Sequence, residues 1–413
     1  MNALTQRVLD HVDPAAIVDL ASQLIRISSF KTEETPLARW LADYFSGRGY
    51  QVELQEVDPG RYQTIATLKG SGGGKSLMFN GHIDIDPLAM GWKRDPWTPT
   101  VEGDRLYGAG SYNMKGGDTS MIMAAEAIRQ SGAKLKGDLV IACVVGELQG
   151  GVGTVHLMNS GLRTDMGIVT EPYGAHNVIT THAGVLEMAI STLGRSTHVS
   201  RPQYRIDAIE KMTKVIDALR RVKFRCTPRT DLPALPLLNI GCIIGGRGQD
   251  YVMSGPNYSC DYCTLLVDVR FLPSQTSQTV IDDIRSTLDT IKAQDPQFNY
   301  ELESPPPLRF RALRVTMEPT NLPLTEYIVQ AVITHYKEVT GKDPQTIGTI
   351  LPLSYAGDDI CHLWRAGIPC VLYGPAGLEG TADEPDNCVI ISEMVLSSKV
   401  LAATALDICN LPK

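Results

Sequence analysis

No apolar run in these 413 residues approaches the roughly 18 needed to cross a bilayer. The opening segment, MNALTQRVLDHVDPAAIVDL, also lacks the basic start and unbroken apolar core of a secretory signal. A membrane span is therefore not expected, and a cytoplasmic location is. Basic tracts are missing too. Lys and Arg number 38 against 46 Asp and Glu, for a net charge of -8, and the short cluster of Arg220, Arg221, Lys223 and Arg225 does not extend. Nucleic-acid binding needs clustered cations to neutralise phosphates, so it is excluded as an expectation. The nine cysteines are odd in number and scattered. Cys260 and Cys263 form the only C-x-x-C pair, at the start of a strand-like run and without a second pair that would complete a zinc site. Free buried thiols in a reducing compartment are expected.

What is present is an ordinary globular composition, 43% hydrophobic and 20% charged, long enough for two or three domains. Apolar residues at helical spacing predict helices over 17–27 and 37–49, and alternation predicts a strand over 50–57. The turn GSGGG at 70–74 precedes a buried-strand run, SLMFNGHIDI at 76–85. A helix over 120–132 and strands over 138–147 and 166–172 follow. This alternation predicts an α/β domain with a mostly parallel sheet flanked by helices. From His182 the pattern becomes strand (185–194), helix (206–222), two strands (237–244 and 263–272) and helix (279–294), a smaller α+β two-layer unit. Pro305, Pro306 and Pro307 form a stiff break, after which helix and strand alternate again. The predicted domains are a catalytic α/β domain in two pieces, 1–181 and 305–413, with an inserted dimerisation or lid domain at 182–304. There is no internal repeat and no low-complexity tract.

The chemistry-bearing residues collect at predicted strand ends, where such sheets form their sites. His82 and Asp84, two apart at the end of a buried strand, point the same way. A carboxylate there can orient a metal-binding imidazole. Six further motifs stand in order: RLYGAGSYNMKGG (105–117), GELQGGVGT (146–154), TEPYG (170–174), GRSTHVSRP (194–202), VDVRFLP (267–273) and YGPAG (373–377). Together they resemble the aminoacylase, carboxypeptidase G and succinyl-diaminopimelate desuccinylase family of metallohydrolases, over nearly the whole chain.

Members of that family bind two metals about 3.5 Å apart. Carried over residue by residue, the resemblance implies that His82 and Glu171 hold the first metal, that Asp84 supports His82, and that Glu147 is the general base. Three positions depart from the pattern. Asn113 stands where the family has a bridging Asp, Leu148 where it has the second metal's Glu, and Gly380 where it has the second metal's His. The resemblance thus implies one exchangeable divalent metal, Mn, Zn, Fe or Co, on His82, Glu171 and the Asn113 carbonyl. His176 and His362 are weaker candidates for additional ligands. His198 matches a residue that the inserted domain presents across a dimer interface to stabilise an oxyanion. Asn257 and Arg270 match positions that hold substrate polar groups, although Arg270 could equally pair with Asp268.

The expected function is hydrolysis of a C–N bond in a small carboxylate-bearing molecule, by metal-activated water with Glu147 as base. Loss of the second metal favours an electrophile activated by its own electronics. Among divergent members the chain is similar to those that hydrolyse aryl amines, so the preferred reaction that the resemblance implies is conversion of an electron-poor aminobenzoate such as 5-nitroanthranilate to 5-nitrosalicylate and ammonia. The alternatives are an N-acyl amino acid deacylase or dipeptidase, and a non-catalytic ligand-binding relative. A homodimer or higher homo-oligomer through the inserted domain is expected.

Overall fold

The computed structural model describes residues 2–253, 255–310, 312–378 and 384–413. The chain divides into two compact units, one of residues 1–181, 320–353 and 358–413, the other of 182–319 and 354–357. The proline break at 305–307 lies inside the smaller unit. The chain continues there because Met317 still bridges Val185 at the edge of that unit's sheet, and it returns to the larger unit only at Thr320.

The larger unit is built on an eight-stranded sheet in the order Gln51–Asp58, Arg61–Leu68, Leu139–Val144, Leu77–His82, Met166–Val169, Cys370–Leu372, Asn177–Ile179, Thr346–Gly348. Its central strands, from Leu139–Val144 to Cys370–Leu372, run parallel. These strands are buried on both faces, so their alternate residues feed two cores. Phe79 and Ile141 enter one cluster with the helices Pro14–Arg26, Gly116–Gln130 and Ile391–Ile408, while Met78, Val140 and Val144 enter the other with the helices Val152–Asn159 and Ile360–Arg365. Each such fully buried aliphatic or aromatic side chain contributes roughly 1.5–3 kcal/mol relative to exposure. The helix Pro14–Arg26 starts where composition directs, with Asp13 accepting from Ala15 N and proline in its first turn.

The smaller unit is a four-stranded antiparallel sheet in the order Leu237–Gly246, Tyr262–Phe271, Gly184–Leu193, Asn299–Glu303. The helices Ala208–Leu219 and Ser277–Gln294 pack with one face of it. Period-2 burial is plain on its central strands: Leu186, Met188 and Ile190 alternate into the core, as do Leu265, Val267 and Val269. Among the described residues no helix is long and apolar enough to cross a membrane.

Candidate metal centre

Three parallel strands of the larger unit end together, and the segments that follow them carry the site. His82 is the last residue of Leu77–His82, Glu147 opens the turn Glu147–Gln149 after Leu139–Val144, and Glu171 lies two residues past Met166–Val169. The turn carrying Glu147 depends on glycines with left-handed backbone, Gly146 at φ 69, Gly150 at φ 88 and Gly151 at φ 78. At Gly151 there is also no room, since a Cβ would stand 2.3 Å from Asp359 Oδ1. These two constraints explain the glycines of GELQGG.

The His82 ring is oriented through Nδ1, which sits 2.9 Å from the Asp84 backbone carbonyl. That carbonyl can only accept, so Nδ1 carries the proton and Nε2 presents its lone pair. Facing Nε2 are Asn113 Oδ1 at 3.1 Å, Glu171 Oε1 at 3.7 Å and Glu147 Oε2 at 3.9 Å. The Asp84 carboxylate lies 3.6 Å from His82 Nδ1 and also accepts from Glu147 N at 3.1 Å and Leu148 N at 3.0 Å, so it stands beside the imidazole while holding the neighbouring turn.

The convergence of acceptors creates an electrostatic deficit. His82, Glu147 and Glu171 are buried and their ligand atoms lie within 4.8 Å of one another. Glu171 Oε1 has no hydrogen-bond partner. Burial first, then the charges of Glu171, Asp359, Asp84 and Asp358, push the Glu147 carboxyl well above its ordinary range. Burial, Asp358, Asp359, Asp118 and Asp84 do the same to Glu171. Buried carboxylates without a counter-charge are costly, and a divalent cation among them removes the cost. The donor set, one imidazole nitrogen with carboxylate and amide oxygens, suits a borderline or hard divalent metal. The residues therefore fit the metal that the motifs imply.

The sequence reading missed several members of this environment. Asp358 accepts from the Tyr173 hydroxyl at 3.0 Å, and Asp359 accepts from the Thr154 hydroxyl at 2.8 Å. Burial, offset by Thr154 and reinforced by Asp84 and Asp358, raises the Asp359 carboxyl to about 8. Asp118, fully buried, has neither oxygen hydrogen-bonded. The signal available in the sequence was the paired Asp in GDDICH, which carries no spacing to a metal ligand. Arg61 was also missed. It donates to Glu34 at 2.9 Å and to Gln149 at 2.8 Å, bracing the Glu147 turn from behind.

His362 and His176 are not among the grouped ligand atoms. His362 Nε2 lies 2.8 Å from the Gly150 carbonyl and His176 Nδ1 2.8 Å from the Tyr336 hydroxyl, so each ring already has a hydrogen-bond partner. Leu148 is half-buried beside Glu147, and Gly380 lies outside the described residues. His198, Asn257 and Arg270 belong to the smaller unit. There Val199 N donates to the Asn257 carbonyl at 2.9 Å, which pairs the segment of His198 with that of Asn257. The Arg270 fork is filled by Asp268, at 2.7 and 3.0 Å.

The chain belongs to a family of hydrolases: the model of the peptidase family M20/M25/M40 matches residues 78–407. The chain is 27% identical to the N-formyl-4-amino-5-aminomethyl-2-methylpyrimidine deformylase of Bacillus subtilis, covering 100% of this chain and 98% of the relative. It is 30% identical to the acetylornithine deacetylase of Proteus mirabilis, covering 90% and 89%. In fold it is similar to a dinuclear metal-binding peptidase of the M20 family from Bacillus subtilis, with a TM-score of 0.66, 16% identity and coverage of 96% and 99%. The protein is an enzyme, a metal-dependent hydrolase of the M20 amidohydrolase and peptidase family. Aryl amine hydrolysis, the preferred reaction implied by the resemblance, has no support in these comparisons, whose two sequence relatives are a deformylase and a deacetylase.

Proposed function

We propose that the chain hydrolyses the amide C–N bond of a small N-formyl or N-acetyl amine. The observation that carries this reading is the Glu147 carboxylate standing 3.9 Å from His82 Nε2 inside a buried set of acceptors, beside a substrate-sized relative chemistry of deformylation and deacetylation. A single exchangeable divalent metal, held by His82, Glu171 and the Asn113 carbonyl oxygen, would supply Lewis acidity and make water acidic enough to ionise near neutral pH. Glu147 takes a proton from the attacking water and delivers it to the departing nitrogen. The C–O bond forms, the C–N bond breaks, and the products are a carboxylate and an amine. Asp84 keeps Glu147 in reach by holding the backbone of residues 147 and 148.

The sequence departures favour one metal over two. Asn113 brings no charge to the bridging position and Leu148 brings no donor atom. The roles implied for His198, Asn257 and Arg270 belong to the same proposal and call for a second copy of the chain. A homodimer is supported by the edge strand Leu237–Gly246, whose Leu237, Ile243 and Ile244 side chains are exposed on the smaller unit.

The test is a panel of N-formyl and N-acetyl amines, N-acyl amino acids, dipeptides and electron-poor anilines, assayed with and without added Mn. Turnover is expected on the acyl amines and in the presence of metal. Turnover confined to the anilines would replace this reading with aryl amine hydrolysis, and turnover unaffected by chelation would remove the metal from it.

A further inference from the structure

Beside Asn113, within the larger unit, lies a cavity of about 80 Å³. Small-molecule sites commonly span roughly 300–1,000 Å³, so this volume takes one end of a substrate. Asn113, whose Oδ1 is 3.1 Å from His82 Nε2, forms part of its wall, so whatever fills the cavity abuts the candidate metal centre.

The other walls are fixed in place. The Asp386 carboxylate accepts from Lys93 N at 3.2 Å and Arg94 N at 2.9 Å, tying the segment after Trp92 to the segment after Glu384. Asp386 does so from a left-handed backbone at φ 57. The Asn387 side chain accepts from the Ser111 hydroxyl at 3.1 Å and donates to the Glu384 carbonyl at 3.3 Å, which sets Glu384 at the cavity's edge.

The lining has one sign of charge. Leu88 and Trp92 offer apolar surface, and the only charged lining residues among those described are Asp86 and Glu384. Asp86 is paired with Lys31 at 3.0 Å, whereas Glu384 makes no ion pair among the described residues. A carboxylate entering here meets the solvent-exposed Glu384 carboxylate at the cavity's edge. An ammonium meets that carboxylate together with an aromatic ring.

We propose that this cavity is the amine-side subsite of the enzyme, holding a small amino-bearing or cationic group of the substrate next to the scissile bond, with Glu384 and Trp92 as its recognition elements. The inference rests on the reading of the chain as a C–N hydrolase and narrows its substrates: the group beside Asn113 is basic, in contrast to the carboxylate expected from the sequence.

The experiment is calorimetric titration of the full chain, loaded with Mn, with n-butylamine and with butyrate, which need no turnover. Butylamine is expected to bind, and Glu384→Gln to weaken it about three- to fivefold while leaving butyrate unchanged or tighter. Ala89→Trp, which fills the cavity from its exposed rim, is expected to abolish butylamine binding with the melting temperature kept. Absence of butylamine binding, or an affinity within about twofold of the parent in both variants, would overturn the subsite. A chain that turns over nothing in the panel yet shows Glu384-dependent amine binding would instead overturn the hydrolase reading alone.

Discussion

Glu147 occupies a position where a carboxyl must be ionised to accept a proton, yet burial and its acidic neighbours hold that proton on. The base therefore depends on a cation beside it. Glu147→Gln keeps the shape and removes the basicity, so turnover is expected to fall by about 10²–10⁴ with metal content unchanged, as read by steady-state kinetics and elemental analysis. Unchanged turnover would refute the assignment. Asn113 makes the complementary case. Asn113→Asp adds a charged donor 3.1 Å from His82 Nε2 and is expected to raise the metal retained per chain after exhaustive dialysis.

At the scale of the element, the Glu147 turn is held from three sides. Glycines permit its backbone, Asp84 accepts from its first two amides, and Arg61 bonds the Gln149 side chain. Gly151→Ala would force an alanine into left-handed backbone, with its methyl 2.3 Å from Asp359 Oδ1. A loss of roughly 1–3 kcal/mol is expected. Denaturant melts check this, and kcat is expected to fall further than stability accounts for, because the displaced turn carries the base. Arg61→Met leaves Glu34 buried with its partner gone. The expected cost is roughly 3–5 kcal/mol, which Glu34→Gln on the same background should partly relieve, as a double-mutant cycle would show.

For the whole molecule, the buried acids couple folding to pH. Asp359, titrating near about 8 in the folded chain, keeps a proton that an unfolded aspartate releases near about 3.9. The folded state thus binds more protons than the unfolded one between those values, and stability falls as pH rises through that window. In chelator, the melting temperature is expected to drop between pH 5 and pH 8, and Asp359→Asn to flatten the drop. Added Mn should restore stability most at the upper end, where the carboxylates are ionised and protons compete least. A melting temperature that rises with pH in chelator would contradict the acidic cluster as described.

Period and spacing in the chain predicted the alternating strands and helices and the change of pattern at His182, and placed His82 and Asp84 at a strand end. Those follow from local rules, whereas Asn113, Glu147 and Glu171 were implied by the resemblance of the ordered motifs to a known family. Two things were not local. Where the second unit ends depended on Met317 pairing with Val185, a contact that no proline signal encodes. The surroundings of the site also came from distant segments, with Asp358, Asp359 and Arg61 folded against residues 147–154. Charge at a buried point is a sum over neighbours in space. Residue types along the chain therefore determined which groups could hold a metal, and only the tertiary structure decided how much negative charge surrounds them and that Glu384 lines the cavity next door.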